Sequence, residues 1–264
     1  MKYKTAAAII TAVDIEAEYV MRLYDWKRIS APDDHKYFSA SFERNGITHR
    51  IITAKQNNMG MTAAAFLASR IIHLFSPEYI IMCGIAAGLG QSADQLYGDV
   101  MIPDVVWDYS AGKFVPPEMA DINFGKIGFI PRPLAIRTDE AVLKIIRSLQ
   151  GKTEFKLHIG PMACGSAVIA NREAINKRIN AVMPDTVGVD MESYGIYYAA
   201  ENSLPPKPKA IVIKSICDYA DSAKSDQYQK FAAYTSSEFT KYLLEKHLPF
   251  FVPSHVSDLI PGIS

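Results

Sequence analysis

The run Ala210-Ile211-Val212-Ile213-Lys214-Ser215-Ile216-Cys217 ends in Asp218-Tyr219-Ala220-Asp221, and the shape of that ending decides how the chain is read. A short, strongly apolar run set off by Pro205, Pro206 and Pro208 reads as a strand buried on both faces. Runs of the same kind recur from Thr5 to Val13, Arg50 to Ala54, Tyr79 to Ile85, Asp99 to Val106, His158 to Ala163 and Thr186 to Val189. Helical periodicity fills the intervals, from Ile15 to Asp25, Met61 to Phe75, Asp139 to Leu149, Asn171 to Asn180, Glu192 to Asn202 and Asp226 to His247. This alternation predicts an α/β fold, a three-layer α/β/α sandwich around a central mixed, mostly parallel sheet. In such sheets ligands collect at the carboxyl ends of the strands, so the residues just after each run are where chemistry is sought.

The bulk composition narrows the partners. With 264 residues, 49% of them hydrophobic, the chain can organise one substantial core. We expect a catalytic domain over residues 1–248 and an irregular C-terminal arm or linker over 249–264. Lys plus Arg equals Asp plus Glu at 28 each, so no net field draws the chain to nucleic acid or an acidic membrane. A small molecule is the expected partner. The apolar run after Lys4 is too short for a signal peptide, and nothing approaches the ~20 apolar residues of a membrane span, so a cytoplasmic location is expected. Cys83, Cys164 and Cys217 sit singly in apolar runs and read as reduced core residues. The histidines show no paired spacing and no GxSxG elbow occurs, so neither a metal centre nor a serine hydrolase is expected. Ser30 to Tyr37 and Asp108 to Pro133 read as irregular, the second as a functional loop.

Three strand ends carry carboxylates: Asp14 and Glu16 after the first, Asp190 and Glu192 after Val189, and Asp218 and Asp221 after Cys217. Acids here often only cap the next helix, which is the reading taken for Asp14. Glu16 and Glu192 fit the helix dipole and a functional role equally well. Asp218 stands apart, because with Asp221 three residues on, one carboxylate can cap while the other faces a pocket. The small-residue stretch Gly84-Ile85-Ala86-Ala87-Gly88 would let a ligand approach the backbone, although alone it reads as a tight turn. Met59-Gly60-Met61 and Tyr197-Tyr198, taken alone, read as core packing.

In order along the chain, these segments resemble the 5'-methylthioadenosine/S-adenosylhomocysteine nucleosidases and the wider nucleoside phosphorylase superfamily. Gly188-Val189-Asp190-Met191-Glu192-Ser193 is similar to that family's ribose motif, and Ser215-Ile216-Cys217-Asp218-Tyr219-Ala220-Asp221 to its Ser-Asp-x-Ala-Asp segment. The resemblance implies that Asp218 protonates the purine and Glu16 activates the attacking water. It implies that Met191 and Glu192 hold the ribose, that the backbone of Val168 and Ile169 meets the purine edge, and that Tyr228 lies near the 5' end. Ala86 and Met59 complete the candidate substrate contacts.

The chemistry accounts for these residue types. Adenine leaves poorly as an anion, so an acid near N7 must share its proton as the bond to C1' lengthens. The sugar becomes cationic, and a second carboxylate orients water beneath it. No cofactor or metal is implied. The chain departs from the family in having Ile85, Lys214 and Cys164-Gly165-Ser166 where the nucleosidases carry a serine, an arginine and Ser-Gly-Asp. Lys214, Lys224 and Lys230 could meet 5' phosphates, although solvated lysines are the plainer reading. The expected activity is hydrolysis of an adenine nucleoside or nucleotide, including AMP or ATP. The alternatives are a phosphate-dependent purine nucleoside phosphorylase and an inactive nucleotide-binding sensor module. The resemblance also implies a homodimer, with Trp107 and Phe114 as candidate contributors to a neighbour's 5' pocket.

Overall fold

The computed structural model describes residues 3–89, 94–123, 126–167, 169, 172–220 and 226–251. In chain order these form β1 (Thr5–Thr11), α1 (Asp14–Met21), β2 (Lys27–Ile29), β3 (Tyr37–Arg44), β4 (Ile47–Lys55), α2 (Met61–Phe75) and β5 (Pro77–Gly88). There follow β6 (Val100–Asp108), β7 (Gly112–Val115), β8 (Ile122–Asn123), β9 (Gly128–Pro131), β10 (Ala135–Arg137), α3 (Glu140–Arg147) and β11 (Leu157–Cys164). The order closes with α4 (Arg172–Ile175), which runs into a π-helical turn Asn176–Asn180, then β12 (Gly188–Asp190), α5 (Ser193–Glu201), β13 (Lys209–Asp218) and α6 (Gln229–Lys246).

Alternation along the strands explains the layers. Ala8 and Ile10 of β1, with Ile80 and Met82 of β5, pack against Ala64, Leu67 and Ile71 of α2 and Ile196 of α5. Their neighbours Ala7, Ile9, Tyr79 and Ile81 meet Val20 of α1, Val142 and Ile146 of α3, and Phe239 and Leu243 of α6. A strand buried on both faces is apolar along most of its length, as Ala6 to Ile10 and Tyr79 to Met82 are. Each buried leucine or isoleucine contributes about 1.5–3 kcal/mol by leaving water, so the two helical layers hold the sheet between them.

The sheet runs β10-β6-β11-β12-β5-β1-β4-β3-β2, with β13 paired to both β5 and β6. Passing from β5 through β13, β6, β11 and β12 therefore returns to β5, and this part of the sheet is a closed ring. The ladders β1–β4, β1–β5, β5–β13, β6–β11 and β11–β12 are parallel. Antiparallel pairing of β12 with β5 and of β13 with β6 completes the ring. The expected sandwich with a mixed central sheet is the observed architecture.

Several boundaries differ from the sequence reading. An antiparallel edge, β2–β3–β4, flanks the stretch read as irregular, of which only Tyr37 enters a strand, and β4 begins at Ile47, three residues before Arg50. Its turn is Asn45-Gly46, both at positive φ (52° and 74°), where asparagine and glycine carry little strain. The first helix ends at Met21 rather than Asp25. The segment from Asp108 to Pro133 holds a separate three-stranded sheet, β7-β9-β8, and the short β10 beyond it was not anticipated. Trp107 is 1% exposed and packs with Val189, Ile175 and Ile179, which removes it from any neighbour's pocket, whereas Phe114 is 68% exposed. Trp107→Phe is accordingly expected to lower stability by about 1–2 kcal/mol without changing substrate preference, a result that thermal unfolding and competitive kinetics would check.

The start of the C-terminal arm is tied down. Tyr79 donates to the Pro249 carbonyl at 2.7 Å, and Phe250 packs 4.6 Å from the His49 ring. Residues 252–264 lie outside the described residues. Among the described residues no helix is long and apolar enough to cross a membrane.

Candidate active site

A cavity of about 350 Å³ opens at the carboxyl ends of β1, β5, β12 and β13. Of the residues singled out in the sequence, Glu16, Met59, Ala86, Ile169, Met191, Glu192 and Asp218 line it. Val168 lies outside the described residues. Tyr228 is not on the wall; its ring stacks on Tyr97 at 3.8 Å, and the next residue, Gln229, faces the cavity instead. Met59 is 57% exposed at the rim, so its packing in the core is ruled out, and Tyr198 is likewise half exposed while Tyr197 is buried as expected.

Glu16 is fixed by its own helix start. Its Oε2 accepts from the backbone N–H groups of Ala12 at 2.6 Å and Val13 at 3.1 Å, and its Oε1 accepts from Ile85 N–H at 2.8 Å. The cap position of α1 is Val13, and Asp14 instead points to solvent, 94% exposed, paired with Lys55. The carboxylate that satisfies the free amides is thus Glu16, not Asp14 as the sequence suggested. Gly84 is required beside it, because any Cβ there would run into the Glu16 carboxylate. Gly84→Ala is expected to displace Glu16 from these amides, with a stability loss of about 1–3 kcal/mol from overpacking. An unchanged thermal midpoint in that variant would mean that the segments around Glu16 yield without cost.

The second acidic pair divides its work. Asp190 is tied to the start of α5, accepting from Ser193 N–H at 3.0 Å and from Ser193 Oγ at 2.6 Å. Glu192 is thereby left for the cavity, where its Oε1 accepts from Gly60 N–H at 3.0 Å. Gly60 sits at φ +109°, a conformation that favours glycine and that turns its amide toward Glu192.

Asp218 owes its aim to a bulge. Ile216 pairs with Ala86 and Asp218 with Ala87, so Cys217 is an extra residue in the ladder. Bulges re-aim the side chains that follow them. The Asp218 Oδ1 then accepts from Ala220 N–H at 2.8 Å, in a tight turn where Ala220 takes φ +52°.

Beneath these groups lies Lys214, 1% exposed, which the sequence reading offered to 5' phosphates. Its Nζ is 3.2 Å from Glu192 Oε2, 3.6 Å from Glu16 Oε1 and 3.8 Å from Asp190 Oδ2. It is the shared counterion of the site and is not available to a phosphate tail. Burial opposes its charge, but Glu16, Glu192 and Asp190 outweigh burial and raise its pKa. Burial, opposed by Lys214 and reinforced by Glu192, raises that of Asp190. Lys214 and Asp190 are the buried charges of the site whose places the sequence reasoning did not give. The available signal was a lysine inside a doubly buried strand, which must find carboxylates.

The three cysteines are free and buried, and burial pushes the Cys83 thiol up to about 11. Among the described residues no group of His, Cys, Asp or Glu is placed to hold a metal ion.

Fold and site together define a partly apolar cavity lined by buried acids at the strand ends of an α/β sheet. The chain belongs to the phosphorylase superfamily, whose family model matches residues 6–247. It is 31% identical over 240 residues to the uncharacterized protein y4jS of Sinorhizobium fredii, covering 84% of this chain and 56% of that one. It is 26% identical to 5'-methylthioadenosine/S-adenosylhomocysteine nucleosidase of Buchnera aphidicola, covering 90% and 95%. To the ATP nucleosidase Cap17 of Escherichia coli it is 25% identical, covering 90% of this chain and only 50% of the relative. The chain thus spans about half the length of two of these relatives. Among solved structures, the fold matches 5'-methylthioadenosine/S-adenosylhomocysteine nucleosidase of Helicobacter pylori with a TM-score of 0.72 at 18% identity, covering 93% and 100%. It matches futalosine hydrolase of the same organism equally well, with a TM-score of 0.72 at 18% identity, covering 92% and 98%.

Proposed function

We propose that the chain is an N-glycosyl hydrolase that releases adenine from an adenine nucleoside or nucleotide. One observation carries the reading: Glu16, Glu192 and Asp218, drawn from three separate strand ends, face a single cavity, and two of them share the buried Lys214.

In this reading Asp218 meets the base at N7 and shares a proton with it as the glycosidic bond lengthens. Glu192 accepts hydrogen bonds from the ribose hydroxyls and fixes the sugar over Glu16. Glu16, whose oxygens are already anchored by three amides, orients the water that attacks C1'. Three carboxylates around one ammonium leave the sugar side of the cavity negative, which favours the oxocarbenium-like cation. Met191, Ala86 and Ile169 provide the wall around ribose and base. No arginine lines the cavity among the described residues, which favours water over phosphate as the nucleophile.

A homodimer is part of the proposal. Phe114, Met119 and Ile127, each more than half exposed on or beside the small β7-β9-β8 sheet, are apolar surface suited to a second copy.

The test is adenine release, followed by chromatography, from 5'-methylthioadenosine, S-adenosylhomocysteine, AMP and ATP, each with and without inorganic phosphate. Release without phosphate is expected. Strict phosphate dependence would make the chain a phosphorylase, and tight binding of a nucleotide without cleavage would make it a sensor.

A further inference from the structure

A second cleft, of about 630 Å³, opens beside the first, lined by Ala17 of α1, Phe38 of β3, Asn57, Arg70 of α2 and the segment from Asp33 through Lys36, together with Lys55. It brings the cations Lys36, Lys55 and Arg70 together with Asp33, Asp34 and His35. Nothing in the reaction outlined above uses it. Its position relative to the first cavity is the informative feature.

The site already described has a direction. Asp218, which meets the base, ends β13, whereas Glu192 is hydrogen-bonded to Gly60 at the entrance to α2, and Glu16 begins the helix after β1. Across the sheet the order is β13, β5, β1, β4, β3. A nucleoside laid with its base at Asp218 and its ribose at Glu192 and Glu16 therefore points its 5' carbon away from β13, toward β4 and β3. The cleft lies there, about two strand spacings from β1, each about 4.8 Å. Residues near one another in the chain border the two cavities: Ile15 and Glu16 line the first and Ala17 the second, and Met59 lines the first and Asn57 the second.

The charges suit a phosphate tail. Lys55 Nζ is 3.1 Å from Asp14, whose side chain is 94% exposed, and Arg70 is 3.2 Å from Asp33. The Lys55 pair, with its solvent-exposed partner, is weak and exchanges readily for a stronger anion, whereas Asp33, only 19% exposed and also accepting from Tyr37 Oη, holds the Arg70 guanidinium at the cleft wall. The His35 Nε2 is buried on the cleft wall without a hydrogen-bond partner among the described residues. We propose that this cleft, through Lys55, Arg70 and Lys36, receives the 5' phosphates of an adenine nucleotide and makes the nucleotide the preferred substrate over the uncharged nucleoside. The proposal rests on the nucleosidase reading and assigns its 5' group.

The experiment measures kcat/KM for adenosine, 5'-methylthioadenosine, AMP and ATP in wild type, Lys55→Ala, Arg70→Ala and Lys55→Arg, with equilibrium binding of ATP alongside. The ratio of kcat/KM for ATP to that for adenosine is expected to fall about tenfold in each alanine variant, and to recover in Lys55→Arg, which keeps the charge. An unchanged ratio, or cleavage of 5'-methylthioadenosine with none of AMP or ATP, overturns the cleft assignment while the nucleosidase reading stands. If no adenine is released from any compound, that reading fails, and ATP binding decides the cleft by itself. Binding weakened in Lys55→Ala supports it, and binding that is equal in the two proteins or absent from both overturns it. A variant that loses all substrates equally while its thermal midpoint drops is replaced by Lys55→Gln, judged by the same ratio.

Discussion

Asp218→Asn is expected to lower kcat/KM for adenine release by about 10²–10⁴-fold, the range associated with loss of a general acid. The asparagine carbonyl oxygen can still accept from Ala220 N–H, so the turn after β13 survives. The thermal midpoint should therefore move by only a few degrees, as for a change that empties no core and strands no polar group. A rate within tenfold of wild type would transfer protonation of the base to another group. Single-turnover measurement is the suitable readout, because it isolates bond cleavage from product release.

Lys214→Met should act in the opposite manner, through the fold as much as the rate. The methionine fills a similar volume but leaves Glu16, Asp190 and Glu192 buried around a vanished charge. Removing one partner of a buried ionic group costs about 3–5 kcal/mol, enough to threaten a domain of ordinary stability. The pH dependence supplies a check on the cause. The pKa of Asp190 is already raised by burial, and Lys214 is what holds it down. An acid with a raised folded pKa favours the fold at low pH and loses that contribution as pH climbs through its folded value. The stability gap between Lys214→Met and wild type should therefore narrow as the solution is acidified from neutrality toward the carboxylate range. A gap that is constant with pH would mean that packing, not charge, explains the loss. Lys214→Arg, which restores a cation, should recover stability before it recovers activity, since a planar guanidinium cannot reproduce the reach of one ammonium to three carboxylates.

The layers and the active end of the sheet were legible because burial on both faces leaves a plain mark. Runs such as Tyr79 to Ile85 and Ala210 to Ile213 have no polar face to confuse them, and the acids beyond them stand out. The edge formed by β2, β3 and β4 was less legible. Tyr37–Arg44 mixes Ser39, Ser41 and Glu43 with Phe38 and Phe42, and a search for continuous apolar stretches passes over it. The Asn45-Gly46 pair was the usable clue, since it marks a tight hairpin whatever flanks it. Within the site, Glu16 and Glu192 could be placed but their supports could not. The Gly60 amide and the Ile85 amide reach them from segments distant in the chain, and no local pattern announces a contact of that kind. Lys214 was misassigned for a related reason: spacing shows that a cation is present, while only the fold shows that three anions surround it.

Closure of the sheet through β13 bears on how the protein is made. This strand is the last of the ring to be synthesised, yet it is inserted between β5 and β6, which emerge from the ribosome more than a hundred residues earlier. Until it arrives, Glu16, Asp190 and Glu192 lack the Lys214 counterion and the cavity lacks Asp218. A nascent chain halted before residue 209 would hold every other strand of the ring and neither of these two groups. The cavity is therefore completed in one late step, and on the proposed mechanism an interrupted translation product is expected to be inactive rather than weakened.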